Sequence, residues 1–71
     1  MELTPLNYGQ EIKRLRLKEK IQQQDLAEEL GIYPSQLSGI EKGTVQVSRK
    51  LFLKALKCLG YRLTEKTQKI T

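Results

Sequence analysis

Between residues 8 and 59 apolar side chains recur at helical spacing, and helix-breaking residues divide the pattern into short pieces. Tyr8, Ile12 and Leu15 form a narrow stripe ringed by Lys13, Arg14, Arg16, Lys18 and Lys20, which predicts a helix over about 8–19. Asn7 is placed to cap it, with Gln10 three residues later reaching back as in a capping box. Ile21 leads into a second helix over about 22–30, with Leu26, Ala27 and Leu30 inward and Asp25 at the positive end of the helix dipole. Gly31 then stands where a left-handed C-terminal residue belongs, and Pro34 stands at the first position of a new helix. Leu37 and Ile40 give this third helix its inward stripe, and Gly43 ends it.

A fourth helix is expected from its cap at Ser48 to Leu59, with Gly60 after it. Its apolar positions, Leu51, Phe52, Leu53, Ala55, Leu56 and Leu59, are too broad for one core stripe. Part of that face, including Leu53 and Leu56, is expected to meet another chain. Beyond Gly60 the period falls to two, as Tyr61 and Leu63 alternate with Arg62 and Thr64. A lone strand cannot satisfy its own backbone groups, so residues 61–66 are expected to pair with the same segment of a second subunit. Tyr61 and Leu63 then belong to the dimer interface and residues 67–71 to a mobile tail. The plainer alternative is a frayed C-terminus.

The break between the second and third helices has the length and glycine content of a helix-turn-helix. With Leu37 and Ile40 inward, the opposite side of the third helix carries Ser35, Ser38, Gly39 and Lys42 at i, i+3, i+4 and i+7. A helix that enters the major groove needs such a slim polar face, with base edges reached from its N-terminal turn.

Composition narrows the function classes. At 71 residues the chain is one domain, and folding hides only roughly 60% of an unfolded chain of this size, so a partner that buries more surface would help. With no His and one cysteine, Cys58, disulfide frameworks, Cys/His zinc sites and histidine acid–base catalysis are excluded, and no cofactor is expected. No nucleophile–base pair can be assembled, so the chain does not read as an enzyme. Cys58 is expected in the core or an interface. The run Leu51 to Leu59 is too short and too interrupted by Lys54 and Lys57 to span a membrane. The net charge is +5, and it is unevenly placed: residues 1–41 hold five basic and seven acidic side chains, residues 42–71 eight and one. That balance favours a polyanionic partner, although Lys50, Lys54 and Lys57 are read as an ordinary solvated face.

From Gly9 to Gly60 the chain resembles the Xre or lambda-repressor-like helix-turn-helix family, through Ile12, Leu15, Arg16, Ile21, Gln23, Leu26-Ala27, Gly31, Ser38, Glu41, Gly43 and Leu59-Gly60. The resemblance implies an all-α domain of four to five helices, with its core over 7–60 and a short C-terminal β-strand pairing across a dimer. It implies that Gln23 opens the second helix and holds a phosphate, and that Tyr33, Pro34, Ser35, Gln36, Ser38 and Gly39 face base edges or the adjoining backbone of double-stranded DNA. Lys42, Thr44 and Arg49 would touch phosphates, and Arg16 with Glu41 would form a structural ion pair. Two departures stand out: Gln22 replaces the usual Ser or Thr cap, and Pro34 and Gly39 lack hydrogen-bonding side chains. Readout would therefore lean on Tyr33, Ser35, Gln36 and Ser38, with van der Waals contact from Pro34 to a thymine methyl and help from water and DNA shape.

The segment LFLKALKCLGYRLTEK, residues 51–66, is similar to the end of HipB-like antitoxins. That likeness implies a cytoplasmic, nucleoid-associated homodimer on a palindromic operator in its own promoter, and a HipA-type Ser/Thr kinase toxin as partner. The alternatives are a stand-alone repressor of phage or restriction-modification type and, from another class, a protein-interaction module on the same fold.

Overall fold

The computed structural model describes residues 5–63 and 67–70. Four helices, α1 (Pro5–Lys18), α2 (Gln23–Leu30), α3 (Pro34–Lys42) and α4 (Arg49–Leu59), precede two short strands, β1 (Tyr61–Leu63) and β2 (Thr67–Lys69). The first helix starts earlier than its sequence pattern suggests. Asn7 lies within α1, and Pro5 takes the first described helical position, where a missing N–H is costless.

Each boundary has a local cause. Gly31 ends α2 at φ +73°, a conformation in which a Cβ would be strained. Ser48 caps α4 by accepting a hydrogen bond from the Leu51 amide at 3.1 Å. The turn after α1 has no glycine, and Lys20 takes the left-handed conformation there at φ +58°. That turn is tied by the Ile21 amide donating to Arg16 O at 3.0 Å and by Arg16 Nη1 donating to Ile21 O at 2.9 Å.

The core is continuous through all four helices and β1. Phe52 is its centre and stacks on Tyr8, rings 4.1 Å apart and 6° from parallel. Around them lie Ile12, Leu15, Leu26, Ala27, Leu30, Leu37, Ile40, Val47, Ala55, Leu56, Leu59 and Tyr61. Of the residues expected at a dimer interface, Leu56 and Tyr61 are buried inside their own chain. Leu53 is 40% exposed and Leu63 partly buried. Cys58 is exposed, so it is not a core residue, one of the two places expected for it.

The strand after Gly60 forms, but its partner is different. β1 pairs antiparallel with β2 of the same chain, in the register Tyr61↔Lys69, Arg62↔Gln68 and Leu63↔Thr67. The tail at 67–69 is thus a strand, where a mobile end and a pairing across two subunits were expected. Thr64, Glu65, Lys66 and Thr71, also part of those expectations, lie outside the described residues. What recruits β2 is one carboxylate of α1 and one in the turn that follows it. Glu11 accepts from the Thr67 hydroxyl, and Glu19 accepts from Lys69 Nζ at 2.8 Å and from the Tyr61 hydroxyl at 2.9 Å. Acidic partners on a different helix are not visible in the two-residue rhythm of the strand itself.

Both carboxylates are held below the ordinary glutamate value of 4.5, Glu11 chiefly by its hydrogen bond from Arg14 and Glu19 chiefly by that from Lys69. Groups with lowered values in the folded state stabilise it fully above 4.5, and that contribution is lost as pH falls through the lowered values. The hairpin should therefore loosen in acid before the helical core does. Hydrogen exchange tests this at the Ile70 amide, which donates to Gly60 O at 2.8 Å. Its protection factor should fall below pH 4.5 relative to that of Leu56 in the core, whereas parallel behaviour of the two would reject the clasp.

Candidate nucleic-acid interface

The third helix is set by what lies on its two sides. Leu37, Ile40 and Glu41 face inward, and α3 packs on both α1 and α2. Outward, Pro34, Ser35, Gln36 and Lys42 are exposed, Ser38 and Gly39 are half-buried, and Tyr33 at the N-cap is 75% exposed. The structure thus brings the six expected base-facing residues onto one continuous surface at the start and outer side of α3. In residues 34–50 the cations Lys42, Arg49 and Lys50 face a single acid, Glu41, which is buried in an ion pair. The outward potential of this face is positive.

Glu41 organises the site from beneath. Its carboxylate accepts from Arg16 Nε at 2.8 Å and Nη2 at 2.9 Å, a bidentate pair of the strong, charge-assisted kind. The same oxygen that meets Nη2 also accepts from Gln23 Nε2 at 3.1 Å. One buried carboxylate on α3 therefore binds α1 through Arg16 and α2 through Gln23. Arg16 is held further into its charged form, chiefly by the hydrogen bond to Glu41. The Gln23 link is absent from the spacing of the sequence, since any polar residue at the start of α2 satisfies the helical pattern.

Gln23 also opens α2, where the preceding Gln22 is extended and makes no side-chain cap bond. The first-turn amides of α2 are left without a side-chain acceptor, and such a helix end is suited to an anion. At the start of α3 the Gln36 side-chain oxygen accepts from the Tyr33 amide at 2.9 Å. While that bond holds, Gln36 offers only its N–H donors, which suit purine N7 and O6 acceptors rather than two-point contact with adenine. Thr44 is engaged internally: its amide and its hydroxyl both donate to Gly39 O, at 2.9 and 3.2 Å. In this geometry it has no free donor for a phosphate. Lys42 and Arg49 do.

A model of the helix-turn-helix family matches residues 12–66, which span α2, the turn at Gly31 and α3. The chain belongs to the Xre and lambda-repressor-like helix-turn-helix family. This helix-turn-helix protein is accordingly a DNA-binding transcription regulator. No curated protein and no solved structure matches the chain. Among the described residues no helix is long and apolar enough to cross a membrane, and no group of three or more His, Cys, Asp or Glu side chains is placed to hold a metal ion. Two residues that matter to the helix-turn-helix geometry escaped the sequence pattern. Gly9 is one: a Cβ there would lie 2.8 Å from the Ile40 carbonyl carbon and closer still to its oxygen, so α1 and α3 touch backbone to backbone. Val45, in the loop after α3, is the other.

Proposed function

We propose that the protein is a sequence-specific repressor that binds a palindromic operator as a homodimer, with α3 in the major groove. Tyr33, Pro34, Ser35, Gln36, Ser38 and Gly39 form the base-facing surface, and Gln23, Lys42 and Arg49 meet phosphates, with Thr44 joining only by releasing Gly39 O. The observation that carries this reading is the exposed, acid-free face of α3, locked to α1 and α2 through Glu41. A polar helix face flanked by Lys42 and Arg49, which pair with no acid among the described residues, favours a polyanion over a protein-interaction role.

A homodimer follows from the small surface one α3 can read, and exposed Leu53, with the outer edge of the β1–β2 hairpin, is the apolar surface proposed to join the copies. The likeness of residues 51–66 to HipB-like tails supports the finer reading of an antitoxin paired with a HipA-type kinase. Co-purification of a Ser/Thr kinase from native cells supports that pairing, and its absence from them favours a stand-alone repressor.

Selection from a randomised duplex library tests the DNA reading. The recovered duplex should hold two inverted half-sites about 34 Å apart, one helical turn. Ser35→Ala should shift preference at particular bases by about 1–3 kcal/mol per good contact, whereas Gln23→Ala should weaken all duplexes alike. With Lys42 and Arg49 on each of two protomers, log K should fall with log salt with a slope of about −3 to −4. Recovery of no preferred duplex, or a flat salt response, would reject the proposal.

A further inference from the structure

Position 39 lies in the middle of the outward face of α3 and has no side chain, yet the space above it is filled. A Cβ built on Gly39 would lie 2.6 Å from Val45 Cγ2 and 3.3 Å from Thr44 Oγ1. The loop after α3 folds back to put Val45 there. Three hydrogen bonds hold it, since the amides of Thr44 and Val45 and the Thr44 hydroxyl all converge on Gly39 O at 2.9, 3.2 and 3.2 Å. Val45 is nevertheless 44% exposed, while Val47 two residues on is buried in the core. A stiff β-branched side chain thus lies against the reading face, with Cγ2 over Gly39 and nearly half of the residue's surface open to solvent.

We propose that Val45 is a specificity-determining residue of the DNA interface, standing in for the missing side chain at position 39 and contacting the C5-methyl of a thymine. This rests on α3 being the groove-reading helix. The chemistry is selective because the thymine methyl is the apolar feature on base edges in the major groove, all others being donors or acceptors. Ser35 and Ser38 supply hydroxyls beside it. On α3 itself the exposed aliphatic side chain is Pro34, at the start of the helix and five residues from position 39.

The probe is the duplex recovered from the randomised library, with each thymine replaced singly by deoxyuridine, which removes only the methyl. One thymine per half-site should be found whose replacement lowers the affinity of the parent protein about fourfold, the value of one buried methyl group. Val45→Ala should bind the thymine and deoxyuridine duplexes equally. Val45→Thr keeps the branched shape over Gly39 and should lose most of the discrimination too, so it decides the matter if the alanine variant melts early. An unchanged thymine preference in the variants, or no thymine with such an effect, overturns the assignment while leaving α3 as the reading helix. Failure of the parent to select any duplex removes the DNA reading and this inference together.

Discussion

Replacing Glu41 with alanine should cost the domain about 3–5 kcal/mol, because the buried Arg16 guanidinium loses its only carboxylate among the described residues. A chain of 71 residues has a total stability of about 4–11 kcal/mol. At the lower end of that range little would remain. Glu41 is 5% exposed and joins three helices, so water cannot easily replace what is removed. At about 4–8 °C per kcal/mol for a domain of this size, the midpoint of thermal unfolding should drop by at least about 12 °C. The double replacement Arg16→Met with Glu41→Leu should be much milder, since it leaves no buried charge behind. If Glu41→Ala melted within about 4 °C of the parent, the pair would contribute less than about 1 kcal/mol and the organising role of Glu41 would be wrong.

Gly9→Ala is expected to be damaging too, for a steric reason. In isolation alanine favours a helix over glycine by about 1 kcal/mol. Here the added methyl would meet the carbonyl of Ile40, which is backbone and cannot rotate away. The two helices must separate, and that loosens the core to which α1 contributes Ile12 and α3 contributes Ile40. Overpacking of this kind typically costs about 1–3 kcal/mol and occasionally more. With the cost at the top of that range, set against about 1 kcal/mol of helix propensity, we expect a net loss of about 2 kcal/mol, together with weaker DNA binding, because α3 is the element displaced. Gly39→Ala makes the contrast: its methyl would meet the movable Cγ2 of Val45 and should cost less. Equal denaturation midpoints for Gly9→Ala and the parent in urea would refute the close approach.

The helices were legible because their signals are local. Gly31 with Pro34, Ser48 and Gly60 each act within one turn of the chain, and the buried positions of α2 and α3 follow from the 3.6-residue period. The slim face of α3 was visible for the same reason. The roles of Arg16 and Glu41 entered through the family likeness, since 25 residues separate them and nothing local joins them. Leu56 and Tyr61, expected at an interface, are buried in their own chain, because a broad apolar face does not say how much of it one chain can cover. Tyr61 is covered by its own chain, with its hydroxyl on Glu19.

The sequence by itself determined where α2, α3 and α4 begin and end, which stripe of each turns inward, and that a turn separates α2 from a slender third helix. Only the tertiary structure decided that Glu41 gathers Arg16 and Gln23, that Gly9 lets α1 lie against α3, that Glu11 and Glu19 fold the last residues back as a strand, and that Val45 covers Gly39. The physical reason is range. Capping, backbone conformation and helical period act over a few residues, whereas charge pairing and close packing depend on which distant residues the finished core brings within reach.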